Sequence, residues 1–309
     1  MTLQALPYVT LLGFLFGSTL IASRFSVGQF NPTTYIGLRM VLASLGHLTI
    51  YFLTSRHRRW PRDPVLWRRA ALLGVIGTAI PMTAIVSSLR YQSSGVTSIL
   101  LTTGPAITVL IAHFFLTDES LTRRKFAGIV LALGGAVLLA VRGESGLAEV
   151  SRANPLGYGL VLLAMLCGGS MTVYARKFMK DFDAFDVASI RMFVAALAVM
   201  PLSTLIFGID LRNVNGQGYF ALLYASLVGT FFGMMLAFYN IKRFGATAAA
   251  MTQYILPIVA SLGGVLILGE RITPGLAVGM GFIVSGIALV NRRRRAAKSL
   301  APQPAEPAP

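Results

Sequence analysis

Acidic residues are scarce. Eleven Asp and Glu stand against 27 Lys and Arg in 309 residues, and no acid falls deep inside a long apolar stretch. Asp118, Glu119 and Glu270 sit at the ends of such stretches, and Asp181, Asp183 and Asp186 at the start of one. A proton relay of membrane-embedded carboxylates is therefore not expected. The single cysteine, Cys167, cannot close an intrachain disulfide and reads as a small buried residue. There is no HxxxH-type cluster, no Walker phosphate loop and no pair of acids within a span. That removes the sequence basis for ATP-driven transport within this chain and for a membrane enzyme acting on lipid-linked substrates. No catalytic residue, cofactor or metal is implied. Long polar stretches are missing too, so no soluble domain is expected between the apolar runs.

What is present points to a bilayer. Hydrophobic residues make up 55% of the chain and charged residues 12%, with a mean hydropathy of +0.71; a soluble domain carries about 25% charged residues. Ten apolar runs approach the ~20 residues that cross a membrane. They lie near 5–23, 34–55, 68–90, 95–116, 123–141, 155–175, 185–207, 217–240, 246–268 and 273–291 and are called spans 1 to 10. The fold class is thus an all-α polytopic membrane protein. A net charge of +16 would suggest nucleic acid in a soluble protein. Here nineteen of the Lys and Arg fall on one side of the ten-span topology, six on the other, and Arg39 and Arg191 within spans. Excess cationic loops mark the cytoplasmic face, so both termini are expected inside, in a bacterial-type inner membrane, with no nucleic-acid partner. One local signal opposes this: no Lys or Arg precedes span 1, whereas Arg24 follows it. The N-terminus lacks a basic region and an A-x-A-like site, so a cleaved leader is not expected. Residues 294–309 read as a basic, then Pro/Ala-rich, disordered tail.

The chain also repeats itself. Gly17-Ser18, Arg24, Arg39-Met40 and Gly77-Thr78 return 152 residues later as Gly169-Ser170, Arg176, Arg191-Met192 and Gly229-Thr230. Pro105 returns as Pro257, and Glu119 and Gly135 return as Glu270 and Gly286. The repeats are assigned to 1–145 and 150–293. A five-span unit duplicated in tandem must lie upside down the second time, as in transporters built around a midplane site.

Small residues mark close helix contacts: Gly13 and Gly17 on span 1, Gly128, Gly134 and Gly135 on span 5, and Gly275, Gly279 and Gly286 on span 10. Spans 5 and 10 carry almost no polar side chains and read as scaffold or a dimer face. Helix breakers pair across the repeat: Pro81 with Gly233, and Pro105 with Pro257. A proline within a helix removes a backbone bond and bends it, so these four are candidate hinges. Polar side chains gather on the same spans. A cavity lined by spans 1, 3, 4, 6, 8 and 9 is expected, with Ser18, Thr78, Met82, Thr102, Thr103, Ser170, Tyr174, Thr230, Met234, Phe238, Gln253 and Tyr254 as candidate lining. Neutral hydroxyls and amides beside methionine suit a small amphiphile, although any one hydroxyl can instead bond back to its own helix. Arg39 and Arg191, each about two turns into its helix at opposite faces, read with Glu119 and Glu270 as symmetric gate or structural charges. His47 and His113 read as packed histidines.

Two copies of one pattern carry a family resemblance. The first is Gly95-Val-Thr-Ser, Pro105, Asp118-Glu119-Ser-Leu-Thr, Gly128 and Gly135; the second is Gly245-Ala-Thr-Ala, Pro257, Gly269-Glu270-Arg-Ile-Thr, Gly279 and Gly286. This doubled set resembles the drug/metabolite transporter superfamily in its ten-span EamA-type branch, over about residues 8–292. Within that branch it resembles bacterial amino-acid and metabolite exporters of the YddG kind. The copies depart from each other where Asp118 faces Gly269. The resemblance implies an inner-membrane exporter of small metabolites, amino acids foremost, working by alternating access. A drug or nucleotide-sugar carrier is the second transporter reading. Nucleotide phosphates would want cations facing the cavity, and Arg39 and Arg191 are expected too near the two mouths for that. A receptor or structural subunit would not need paired prolines. Oligomeric state is left open, a monomer being compatible.

Overall fold

The computed structural model describes residues 3–54, 59–117, 121–150 and 152–291, without the side chains of 3, 238, 241, 242 and 245–250. Glu119, Asp118, the Phe238 side chain and the tail 294–309 therefore lie outside the described residues. Among those described, nine helices are long and apolar enough to cross a membrane, and Thr252–Leu268 is a shorter tenth. Spans 1, 2 and 3 are Leu6–Ser26, Pro32–Leu53 and Pro64–Ser88; spans 4 and 5 are Ser94–Phe115 and Arg123–Arg142. Spans 6, 7 and 8 are Pro155–Phe178, Ala184–Phe207 and Gly216–Ala237, and span 10 is Pro274–Asn291.

Local sequence sets the starts. Asn31-Pro32, Asp63-Pro64 and Asn154-Pro155 each place a capping side chain before a proline that has no N–H to waste. The caps form: Asn31 Oδ1 accepts from Thr33 N at 3.1 Å, Asp63 Oδ1 from Val65 N at 2.8 Å and Asn154 Oδ1 from Leu156 N at 2.9 Å. Gly143 and Gly269 end spans 5 and 9 at φ of +67° and +66°, a left-handed backbone that a side chain would strain.

The interiors depart from uniform helices in ways that the apolar runs did not reveal. Spans 3 and 8 each contain a widened π segment, Val75–Ala79 and Tyr224–Phe232. Span 4 breaks at Thr102 and Thr103 into Ser94–Leu101 and Gly104–Phe115, and Pro105 opens the second piece. The boundary between spans 8 and 9 also moves. The helix from Gly233 runs on to Ala250 and span 9 starts at Thr252, not near 246. At 1.5 Å per residue its length is roughly 25 Å, just short of a ~30 Å hydrocarbon core.

The two halves interlock. Span 2 packs on span 7 and span 5 on span 10, each against its own repeat partner. Span 1 lies against spans 8 and 9, and its copy, span 6, against spans 3 and 4. One buried cluster joins Tyr35, Ile36, Met40, Met192 and Ala225; a second joins Val96, Ile99, Leu139, Val161 and Ile283. Both mix the two repeats. Lipid tails are as apolar as these side chains, so close packing rather than escape from water holds the helices together.

Candidate functional site

A cavity of about 250 Å³ lies where the halves meet. Span 1 gives Phe16, Thr19, Leu20 and Ser23; span 3 gives Gly77, Thr78, Pro81, Met82, Ile85 and Val86; span 8 gives Gly229, Thr230 and Met234. Arg39 of span 2, Leu101 of span 4, Arg191 and Met192 of span 7 and Leu256 of span 9 complete it. Spans 2 and 7 thus take part, which the sequence did not suggest, and span 6 does not.

The π segments organise the site. Each holds a Gly-Thr pair, and a widened turn leaves backbone groups off the regular helical ladder, which is why such turns recur at functional positions. Thr230 Oγ1 donates to Ala225 O at 2.8 Å, five residues back, and accepts from Arg39 Nε at 2.7 Å. Thr78 Oγ1 likewise donates to Leu73 O at 3.3 Å and accepts from Arg191 Nε in a short bond. Arg191 Nη2 also donates to the Gly77 carbonyl at 2.6 Å, and Arg39 Nη1 to Ser23 Oγ at 3.2 Å. Each arginine is therefore seated on the π turn of the opposite repeat. The glycines let neighbours in: Thr19 presses on Gly229, and its repeat copy Met171 would meet a Cβ on Gly77 at 2.9 Å.

The other expected lining residues point elsewhere. Ser18 bonds Tyr224 Oη at 2.7 Å, tying span 1 to span 8. Thr102 donates back to Ile99 O at 2.6 Å, and Thr103 to Leu100 O at 2.7 Å and towards Met165 Sδ at 3.0 Å, where their own helix break uses them. Tyr254 Oη accepts from Asn291 Nδ2 at 3.3 Å, joining spans 9 and 10. Tyr174 stacks beside Phe178 in the apolar cluster of spans 3, 6 and 7. Ser170 and Gln253 are half-buried and outside the cavity wall. Of the hinges, Pro81 lines the cavity, Pro105 starts a helix, and Pro257 is buried inside span 9. A Cβ on Gly233 would come within 2.8 Å of Phe16, so the glycine serves close approach as well as flexibility.

The charges separate. Arg39 and Arg191, expected near opposite mouths, both reach the one cavity, because each side chain extends onto the π turn of the other half. Glu270 does not join them. It caps the start of span 4, accepting from Ser94 N at 2.7 Å, Ser94 Oγ at 2.8 Å and Gly95 N at 3.3 Å, with Arg24 Nε at 3.9 Å. Carboxylates suit helix N-termini, where N–H groups lack partners. The same end is laced further by Ser93 N to Ser145 O and Arg271 N to Gly146 O, both 2.8 Å. His47 is buried, with Nδ1 3.1 Å from Ala43 O and its ring between Phe185 and Phe231. Of the lining residues that the sequence did not single out, Gly77 and Gly229 carried a signal, the repeated Gly-Thr pair; Phe16, Leu20 and Leu256 carried none.

Comparison with known proteins adds the following. The family described as the EamA-like transporter family matches twice, over residues 3–141 and 155–292. An uncharacterized transporter of Archaeoglobus fulgidus is 25% identical over 90% of this chain and 95% of its own length. The uncharacterized inner membrane transporter YedA of Escherichia coli is 26% identical, over 89% and 87%. An uncharacterized protein of Pseudomonas aeruginosa, PA1977, is 28% identical, over 92% and 93%. A solved crystal structure superposes with a TM-score of 0.62 over 91% of this chain and 94% of that one at 21% identity, a likeness of fold.

Proposed function

This chain belongs to the EamA-like transporter family, and from that premise we propose that it is a secondary carrier exporting small amphiphilic metabolites, amino acids foremost, across the inner membrane. It is a multi-pass membrane protein. In the proposed mechanism, access to the shared cavity alternates between the two faces, with both termini cytoplasmic as the loop cations favour. The observation that carries this reading is the cavity itself. It is walled by residues of both halves of the chain, and in the inverted-repeat reading motion of one half against the other opens it first to one side and then to the other. The bonds joining Arg24, Ser94 and Glu270 at one end supply contacts that an opening movement would break. The π turns and the break in span 4 supply places for the helices to bend. A carrier without an energy-coupling carboxylate follows its substrate's gradient, and export follows wherever the metabolite accumulates inside.

The test uses purified protein in liposomes, loaded with unlabelled substrate and scored for counterflow of a panel of labelled amino acids. Counterflow of at least one amino acid is expected. No amino-acid counterflow, with uptake of a nucleotide sugar or a drug, would replace this reading with the other carrier.

A further inference from the structure

Two cations share the central cavity, with no counter-ion among the described residues. Arg39 is 5% exposed and Arg191 is half-buried. Their partners, on Thr230, Ser23, Tyr35, Thr78 and Gly77, are hydroxyls and a backbone carbonyl, none of them a carboxylate. Among the described residues no carboxylate comes within 4.0 Å of either guanidinium; the ion pair present is Arg24 with Glu270, at one end of the bundle. Among the described residues no acid lines the cavity: Asp63 and Asp183 cap helices, Glu144 accepts from Thr273, and Asp186 accepts from Tyr51.

This arrangement is costly for an empty or neutrally filled site. An intramembrane cation without a partner is expensive even when polar groups solvate it, and two in one low-dielectric cavity also repel. A positively charged solute would add to that repulsion. An anion would relieve it. Each guanidinium carries five N–H donors in a planar fork suited to paired acidic oxygens, and the neutral partners occupy only some of them. The pseudo-symmetry supplies one such fork from each repeat. Most of the remaining wall is apolar, with Phe16, Leu20, Met82, Ile85, Met234 and Leu256, and its hydroxyls on Thr19, Ser23, Thr78 and Thr230 carry no charge. The volume, about 250 Å³, is below the ~300–1,000 Å³ of drug-sized pockets and limits the ligand to a small metabolite.

We propose that the cavity binds a small organic anion with two acidic groups, carboxylate or phosphate, one met by Arg39 and the other by Arg191. This deepens the carrier reading and rests on it. Arg39 and Arg191 are then substrate-binding residues, and the short apolar wall receives the carbon chain between the two acidic ends.

The full-length protein in liposomes is tested for counterflow of succinate, glutamate, glycerol 3-phosphate, leucine and choline. Succinate, glutamate or glycerol 3-phosphate should be carried, the first two reporting carboxylate and the third phosphate. Arg39→Gln and Arg191→Gln should each raise KM for the carried anion about tenfold or more, with a smaller change in kcat, and the Lys variants should recover part of the loss. Since the Gln variants could fail to fold, the melting temperature of the wild-type protein in detergent is measured as well. It should rise with millimolar succinate, glutamate or glycerol 3-phosphate and stay put with leucine or choline. Carriage of leucine or choline with unchanged KM in folded arginine variants would overturn the anion site and leave the carrier reading standing. Anion-dependent melting without counterflow of any probe would keep the site and sink the carrier. Neither melting shift nor counterflow would overturn both.

Discussion

Gly134 and Gly135 are neighbours in span 5, yet the same change at each should have opposite effects. An ideal Cβ on Gly135 would stand 2.8 Å from Ile283 Cγ1, 2.9 Å from Phe282 Cβ and 3.0 Å from the Gly279 carbonyl oxygen, all on span 10. Carbon atoms pack comfortably at about 3.5–4.0 Å. Gly135→Ala must therefore push span 10 away by roughly half an ångström or more, along a seam where Gly128 and Gly286 already bring the two backbones together. Overpacking of this kind costs about 1–3 kcal/mol. A Cβ on Gly134 meets nothing within 4 Å. There alanine gains helix propensity, worth up to about 1 kcal/mol. That gain is common to both positions, so the two variants should differ by the overpacking cost of about 1–3 kcal/mol, which is roughly 2–12 °C at about 2–4 °C per kcal/mol. Thermal melting of the purified proteins in one detergent reads this directly. The matched design cancels the chemistry of the substitution and leaves its orientation. Melting points within a degree of each other, or Gly134→Ala as the less stable variant, would refute the assigned packing of spans 5 and 10.

Three further outcomes follow from the same geometry. Thr230→Val and Thr78→Val each remove a hydroxyl from a buried guanidinium, a charged hydrogen bond worth about 1.5–3 kcal/mol; both should lower the melting temperature and the counterflow rate, and a wild-type rate in both would unseat the π turns from the site. Glu270→Ala strands two backbone donors at the start of span 4, Ser94 Oγ keeping the Ala260 carbonyl, and should cost about 1–3 kcal/mol in a melting assay, whereas Glu149→Ala, on an exposed loop, should be neutral; equal effects would contradict the capping role. Pro105→Ala and Pro257→Ala should slow counterflow more than they reduce expression, Pro257→Ala by more because it lies inside a helix while Pro105 opens one; equal activity per folded molecule would make both kinks incidental.

The sequence by itself determined the ten helices, their duplication and many of their starts. These properties are local: apolar length sets a span, a capping side chain before proline sets its first turn, and matched residues at a fixed spacing mark the copy. The tertiary structure decided what faces what. Successive helical residues are turned by about 100° from each other, so a hydroxyl on the right span can still look the wrong way. Thr102 and Thr103 do, bonding back within their own helix, while Thr78 and Thr230 look inward. Gly134 and Gly135, grouped together in the sequence, separate into an open face and a helix contact. Arg39 finds its partner 191 positions away, on a π turn that no apolar pattern announces. Both arginines converge on one cavity because the repeats interlock, and that convergence is a property of the packed helices, not of either repeat alone.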